Sequence, residues 1–205
     1  MKITPYLDKI EDYLVDDEII DYSDYAIMEL SDTLFCAAKD KTDFIRLAYE
    51  YVRDNIPHSA DIGMSSIPYV ASDVLNQKHG VCFAKAHLLA ALLRCKDIPS
   101  GFCYQKVILN EEQPEKLAYH GLNGVYIEEL KRWIRLDAGT GGKFSLKEEY
   151  LVFRIRKEKG EKDGYIIYPV PDRNVIECLQ RSQSLCTLME NPPIKLRYEQ
   201  PERKE

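Results

Sequence analysis

Apolar residues recur every three or four positions in the first half of the chain, a spacing typical of amphipathic helices. Over 44–56 they fall on one helical face, behind Asp40 and Thr42, either of which suits an N-cap. A similar pattern predicts a helix over 23–38. Over 81–95 almost every position other than Lys and His is apolar, which predicts a helix buried in the centre of a domain.

The second half of the chain follows a different pattern. Short stretches rich in aromatic and β-branched residues, separated by Gly, Asn and Pro, predict antiparallel strands over 101–109, 121–128 and 132–137. A further strand is predicted over 165–170, followed by a helix from Pro171 to Met189. Because helices come first and strands second, the sequence predicts an α+β fold in which the buried helix packs on an antiparallel sheet.

The length of 205 residues favours one domain with additions at its ends. We expect an acidic, helical N-terminal extension over 1–40, a core over 41–150 and a strand and helix over 151–193 that belong to the same domain. The strongly charged stretch 154–164 is predicted to be an exposed loop, and 194–205 a flexible tail.

Composition narrows the possible partners. The formal net charge is −6, and residues 1–40 hold 11 of the 34 acidic side chains but only 3 of the 28 basic ones, which argues against nucleic acid. No apolar run is long enough to span a bilayer, and the first residues lack a signal-peptide pattern, so we expect a cytoplasmic protein without a membrane partner. The six cysteines and four histidines show no metal-site spacing, so no metal or cofactor is expected.

Cys82 is predicted to open the buried helix, where the helix dipole favours a thiolate. A nucleophile also needs a base. His87 lies about 140° further round the same helix, so its side chain diverges from Cys82. We interpret His79 as an exposed turn residue, and His58 follows Pro57 in a loop without an evident partner.

His120 begins one predicted strand and Asp137 ends the next. In a hairpin centred on Glu128 and Glu129 these two positions face each other, with Cβ atoms about 5 Å apart. Asp137 could then accept a hydrogen bond from one imidazole nitrogen while the other faces Cys82. We therefore predict a Cys-His-Asp triad, with the backbone N–H of Cys82 as one oxyanion donor. The sequence does not identify the second donor, for which His58, Tyr51 and Tyr69 are candidates.

Three blocks resemble the transglutaminase-like superfamily, and the flanks, including 19–21 and 137–138, are similar to its compact bacterial members. They are Ala48-Tyr-Glu-Tyr-Val-Arg-Asp-Asn-Ile-Pro, then Ala71-Ser-Asp-Val-Leu with Gly80-Val-Cys-Phe-Ala-Lys-Ala-His-Leu-Leu-Ala-Ala-Leu-Leu-Arg, and His120-Gly-Leu-Asn with Trp133-Ile-Arg-Leu-Asp137. The resemblance implies a papain-like α+β core, with Cys82 as nucleophile, His120 as base and Asp137 as third member.

This chain departs from the family pattern at two positions. Leu122 stands where the family often has an aromatic residue in the cleft wall, and His58 where it often has a tyrosine at the oxyanion hole. We assign Trp133 to the core or to the cleft wall. The Gly-rich stretch 139–143 lacks the spacing of a phosphate loop and is expected to flank the cleft, because it directly follows Asp137.

These residues predict thiol-dependent acyl transfer on a peptide or other amide, most simply as hydrolysis by a cysteine peptidase or amidase. Transfer to a primary amine, as in a transglutaminase, is the first alternative. It ranks below hydrolysis because it needs a second site that excludes water. A catalytically silent binding module on the same fold is the second alternative. The oligomeric state is not predicted.

Overall fold

The computed structural model describes residues 3–197. Its helices are α1 (Tyr25–Ala37), α2 (Lys41–Asn55), α3 (Ala71–Gln77), α4 (Cys82–Arg94), α5 (Arg173–Arg181) and α6 (Leu185–Glu190). Its strands are β1 (Thr4–Pro5), β2 (Ser100–Ile108), β3 (Leu117–Ile127), β4 (Arg132–Leu136), β5 (Lys162–Asp163) and β6 (Ile166–Ile167). The predicted α+β class is confirmed.

The main sheet is antiparallel, with the strand order β4-β3-β2-β5. A second, parallel pair joins β1 near the N-terminus to β6 near the C-terminus. Helices α1, α2 and α3 surround α4, which packs on β2 and β3. The buried helix therefore lies between the other helices and the sheet.

The three predicted N-terminal helices form close to their expected bounds. Asp24 caps α1 and Asp40 caps α2, each with a side-chain oxygen that accepts a backbone N–H of the first turn. In α4 every residue from 83 to 94 is buried, as its apolar composition predicts. Sequence analysis did not predict α3, because this helix has only seven residues and no side-chain cap.

A glycine in β3 lets the start of α4 approach the sheet closely. A Cβ on Gly121 would lie 2.5 Å from the ring of Phe83, so a larger residue does not fit without displacing the helix. Asn123, two residues further along β3, donates a hydrogen bond of 2.9 Å to the carbonyl oxygen of Ala86. These contacts hold the first turns of α4 beside the strand that carries His120.

The hairpin of β3 and β4 has a different register from the predicted one. Asn123 pairs with Leu136 and Ile127 with Arg132, so the hairpin is centred one residue later than expected. The cause is a four-residue connection that contains a 3-10 turn over Glu128–Leu130. His120 is thus not directly opposite Asp137, but the shift between the two strands is two residues and preserves the face of each side chain.

The C-terminal region differs from prediction in two ways. The single helix expected from Pro171 to Met189 is split into α5 and α6, because Ser184 caps a new helix start. The stretch 154–164 is only partly an exposed loop, since β5 pairs with β2 and Glu161 is buried against Arg156. The proposed domain bounds stay a prediction, and 198–205 of the expected tail lies outside the described residues.

Candidate active site

A cleft of about 360 Å³ opens at the N-terminus of α4. Cys82 and His120 both line it, together with residues of the segments that follow β4 and α6. The remaining lining residues are His58, Ala60, Asp61, Val81, Phe83, Lys85, Leu109, Tyr119, Gly139, Thr140, Val152, Phe153, Leu188, Met189, Pro192 and Pro193. The cleft therefore combines a mainly apolar wall with a few titratable side chains at the helix start.

His120 and Asp137 form a buried pair beside this cleft. Nε2 of His120 lies 2.8 Å from Oδ2 of Asp137, and the two residues are 4% and 2% exposed. Nδ1 is thus the ring nitrogen that Asp137 does not engage. The edge of the Phe153 ring packs against the imidazole, with the ring centroids 4.8 Å apart. The imidazole orientation is set from two sides.

The surroundings of His120 favour its protonated form. Burial by itself would lower the pKa of His120, but the charge of Asp137 and the interactions with Cys82 and with the Asp137 carboxylate outweigh it. The resulting pKa of His120 is raised well above its ordinary value. At neutral pH the ring is therefore an imidazolium flanked by a carboxylate on one side and the Cys82 sulfur on the other.

Asp137 is held in its ionised form by several donors. The backbone N–H groups of Val152 and Gly139 donate to its carboxylate oxygens at 3.0 and 3.1 Å. Burial raises the pKa of Asp137, but His120 and these N–H groups more than offset burial and hold the pKa below its usual range. The Tyr49 hydroxyl donates to the Asp137 carbonyl oxygen at 2.9 Å, which anchors the residue to α2.

Cys82 is the first residue of α4 and is partly exposed. Val81, the N-cap, offers no side-chain hydrogen bond to the first turn. The first N–H groups of a helix have no partner within it, and the N-terminus carries partial positive charge. The backbone N–H of Cys82 therefore lies at the positive end of α4.

His58 also reaches the cleft. It forms a β-bridge with Gly80, two residues before Cys82, so its position relative to α4 is set by backbone pairing. The N–H of Ala60 donates to Nδ1 of His58 at 3.3 Å, which assigns the proton of the neutral ring to Nε2. Burial lowers the pKa of His58, and the nearby Lys85 and His120 charges lower it further, against the effect of Asp61.

The other candidate cleft residues lie elsewhere. Leu122 is buried in a separate cluster with Tyr13, and Trp133 stacks at 4.7 Å against the same Tyr13 ring. Tyr51 accepts a hydrogen bond from Lys78 on the surface, and Tyr69 contacts His87 through its carbonyl oxygen. None of Leu122, Trp133, Tyr51 and Tyr69 lines this cleft within residues 3–197. Leu122 shares a face of β3 with His120, but it is covered there by Tyr13, Cys103 and Ile167.

The two remaining histidines serve the fold. His79 is buried, not exposed as expected, because Ser59 and Ser66 contact its two ring nitrogens at 2.9 and 3.2 Å. His87 diverges from Cys82 as predicted, with Nδ1 2.6 Å from the Tyr69 carbonyl oxygen. Burial lowers the pKa of His87 to about 4, so the ring is neutral at pH 7.

Sequence reasoning missed three contributors to the cleft. Phe153 and the residues after α6 come from distant parts of the chain, and no local pattern marks them. Lys85 did carry a signal, since it is a charged residue three positions after Cys82 in a largely apolar helix. Across residues 3–197, no group of His, Cys, Asp and Glu could hold a metal ion, and no helix is long and apolar enough to cross a membrane.

Comparison with known families identifies the class of protein. A family model described as the transglutaminase-like superfamily matches residues 29–138, more than half of the chain. The chain therefore belongs to the transglutaminase-like superfamily. A comparison with curated proteins gave no significant match.

Solved structures with a similar fold include the "Putative Cysteine Protease from Cytophaga hutchinsonii". It is 21% identical, with a TM-score of 0.53 over 65% of this chain and 43% of that one. Red sea bream transglutaminase is 15% identical, with a TM-score of 0.48 over 80% of this chain and 39% of that one. This chain spans less than half the length of either protein, and at these identities the likeness concerns the fold alone.

Proposed function

We propose that the protein is a thiol-dependent acyl-transfer enzyme that acts on amide bonds, with Cys82, His120 and Asp137 as its catalytic residues. One observation carries this proposal. His120 is hydrogen-bonded to Asp137 at 2.8 Å and lines the same cleft as Cys82, the first residue of the buried helix. A nucleophile, a base and a group that orients the base are what this chemistry requires.

The reaction begins from the Cys82 thiolate and the His120 imidazolium. The sulfur attacks the amide carbonyl carbon, and the tetrahedral intermediate collapses when His120 donates its proton to the leaving amine. A thioester on Cys82 remains. Neutral His120 then removes a proton from water, which attacks the thioester. The acid is released, and the Cys82 thiolate and the His120 imidazolium are regenerated. Asp137 keeps the imidazole oriented throughout and stabilises its charged form.

Two groups are placed to stabilise the oxyanion of the tetrahedral intermediate. One is the backbone N–H of Cys82, at the positive end of α4. The second donor that we propose is Nε2–H of His58, because Nδ1 already accepts from Ala60 and the side chain lines the cleft. The lowered pKa of His58 keeps it a neutral donor at pH 7, so it does not compete with His120 for the thiolate.

Hydrolysis is the outcome that we propose, because Cys82 is partly exposed and water can reach a thioester formed there. The alternative is transfer of a glutaminyl acyl group to a primary amine. A Gln-containing peptide mixed with a labelled amine separates the two. We expect the free acid as the main product, whereas stable incorporation of the label would favour amine transfer over hydrolysis.

A silent binding module is a further alternative, favoured by the position of α6. Leu188, Met189 and Pro193 line the cleft beside Cys82, and the carbonyl oxygen of Pro193 accepts the N–H of Tyr119. A segment in this position could block substrate entry. Protection of Cys82 from small alkylating agents, relieved by removal of the segment after α5, would support this alternative.

The decisive experiment measures alkylation of individual cysteines by iodoacetamide with mass spectrometry. At pH 6 an ordinary thiol is almost fully protonated and reacts slowly. We expect Cys82 to react at least about tenfold faster than the exposed Cys36 and to lose this advantage in His120→Ala. Equal rates at Cys82 and Cys36 in the wild type would overturn the proposed function.

A further inference from the structure

Lys85 is a cation in the wall of the cleft that the proposed mechanism does not use. It lies three residues after Cys82 on α4, on nearly the same helical face. The residue is only 2% exposed, yet it lines the cleft together with Cys82. A buried lysine is uncommon unless its charge is paired, so its surroundings bear on its role.

The ammonium group of Lys85 has little hydrogen bonding within the protein. Its Nζ contacts the carbonyl oxygen of Arg53 at 3.4 Å, a long hydrogen bond. Residues 3–197 place no carboxylate within ion-pair distance of it. An ammonium has three donors, so two of them have no partner in the described part of the chain.

The group nevertheless remains charged. Burial lowers the pKa of Lys85 to about 8, against the attraction of Asp137, Asp54, Asp61 and the Cys82 sulfur. Most molecules therefore carry the ammonium at pH 7. Among residues 3–197, Asp61 is the only carboxylate that shares the cleft wall, and it is exposed and screened by solvent. A buried cation with free donors next to the nucleophile is suited to bind an anion that enters with the substrate.

We propose that Lys85 binds a carboxylate of the substrate and so directs the enzyme to amide bonds next to a free carboxylate. This inference rests on the function proposed above. The shared chemistry is a carboxylate near the reacting carbonyl, which either a peptide C-terminus or an acidic side chain supplies. Lys85 is a specificity-determining residue in this view, separate from the groups that carry out bond cleavage.

The test compares alkylation of Cys82 by iodoacetate and by iodoacetamide, which differ by a carboxylate beside the carbon that is attacked. The measured quantity is the ratio of the two rates, because it cancels any change in the general reactivity of the sulfur. We expect Lys85→Met to lower the iodoacetate-to-iodoacetamide ratio by about fivefold or more, and Lys85→Arg to lower it less. Lys78→Met, which removes an exposed lysine outside the cleft, should leave the ratio unchanged.

A second arm needs no variant and identifies the source of the carboxylate. Short peptides are tested for protection of wild-type Cys82 against iodoacetamide. One pair has a free or an amidated C-terminus, and the other has Glu or Gln within an amidated peptide. Stronger protection by the carboxylate member of either pair supports the proposal and shows whether a C-terminus or an acidic side chain supplies the carboxylate. Equal protection within both pairs overturns it.

The outcomes separate the two proposals. If Cys82 reacts rapidly with both reagents but the ratio is the same in Lys85→Met as in the wild type, the role of Lys85 is overturned and the acyl-transfer function stands. If Cys82 reacts no faster than Cys36 with either reagent, the proposed function falls, and the role of Lys85 falls with it.

Discussion

The two ends of α4 carry buried cations, and the two differ in how fully they are bonded. Arg94, in the last turn, is 1% exposed and donates to the carbonyl oxygens of Val15, Ser100 and Pro169 at 2.6 to 3.0 Å. Lys85, near the first turn, is equally buried but has one hydrogen bond within residues 3–197, of 3.4 Å. The two cations therefore differ in the number of donors that have a protein partner, and not in burial.

The same contrast holds for the uncharged groups of the helix. His87, in its middle, is bonded to the Tyr69 carbonyl oxygen and packs on Phe102. Cys82 and its backbone N–H, at its start, face a cleft. The middle and the end of the helix are thus bonded within the fold, whereas its start faces the cleft. Five predictions test this division, from the largest expected effect to the smallest.

The cysteines at the two ends of α4 should differ most. Cys82→Ala is expected to lower the rate of amide cleavage by at least about 10⁴-fold, since it removes the nucleophile. Cys95→Ala, at the C-cap, should keep the wild-type rate. Product formation from a peptide mixture, followed by mass spectrometry, measures both. If Cys82→Ala kept a tenth of the activity, the site would lie elsewhere.

Arg94→Met should destabilise the fold strongly. The substitution leaves the carbonyl oxygens of Ser100 and Pro169 buried without their donor and removes the donor to Val15, which costs about 3 to 5 kcal/mol of unfolding free energy. Urea unfolding followed by circular dichroism measures the change. A loss below about 1 kcal/mol would contradict a structural role for this end of the helix.

His58→Ala should lower kcat by about 10² to 10³ with little change in KM, as expected for loss of one oxyanion donor. His58→Gln, which can still donate, should recover part of the rate. His87→Gln is the matched control on α4, and we expect it to change stability without a comparable loss of kcat in the folded protein. A purely structural role of His58 would instead show as reduced stability with kcat intact.

His87 should make the protein sensitive to acid. Its folded-state pKa is lowered to about 4 by burial, whereas an unfolded histidine titrates near 6.5. Below pH 6.5 the unfolded state therefore binds a proton that the folded state does not, and stability falls by about 1.4 kcal/mol per pH unit down to pH 4. His120 has the opposite sign, because the stability linked to its raised pKa is present below pH 6.5 and declines as the pH rises. Urea unfolding of the wild type and of His87→Gln between pH 4 and 7 tests the first effect, which the variant should lack.

Lys85→Met should change stability least. Because Lys85 has one long hydrogen bond and no ion pair within residues 3–197, we expect a loss below about 1 kcal/mol or a small gain. The measurement is the same urea titration used for Arg94→Met, so the two cations are compared directly. A loss above about 2 kcal/mol would place Lys85 with Arg94 among the structural charges.

Much of the architecture is readable from the sequence. The period of apolar residues predicts α1, α2 and α4 to within a few residues, and capping aspartates precede the first two. Strands β2, β3 and β4 follow from their β-branched and aromatic content, although β3 begins four residues earlier than expected. Local patterns fail where elements are short or depend on distant partners, as in α3, β5 and the division between α5 and α6.

The site divides in the same way. The predicted helix start at Cys82 and the predicted strand faces of His120 and Asp137 point to these three residues. The hydrogen bond between His120 and Asp137 is present despite the changed register. The sequence could not show that Leu122 is covered or decide between core and cleft wall for Trp133, because this depends on the distant segment that packs on each strand, here the one that carries Tyr13.

The sequence by itself therefore determined the fold class, the superfamily and the three residues of the proposed triad, since each rests on local periodicity or on a motif in fixed order. Only the tertiary structure decided the walls of the cleft and the difference between Lys85 and Arg94. The reason is physical. The sequence shows only a lysine or an arginine in an apolar helix, whereas its bonding depends on which distant carbonyl oxygens come within hydrogen-bonding distance of its donors.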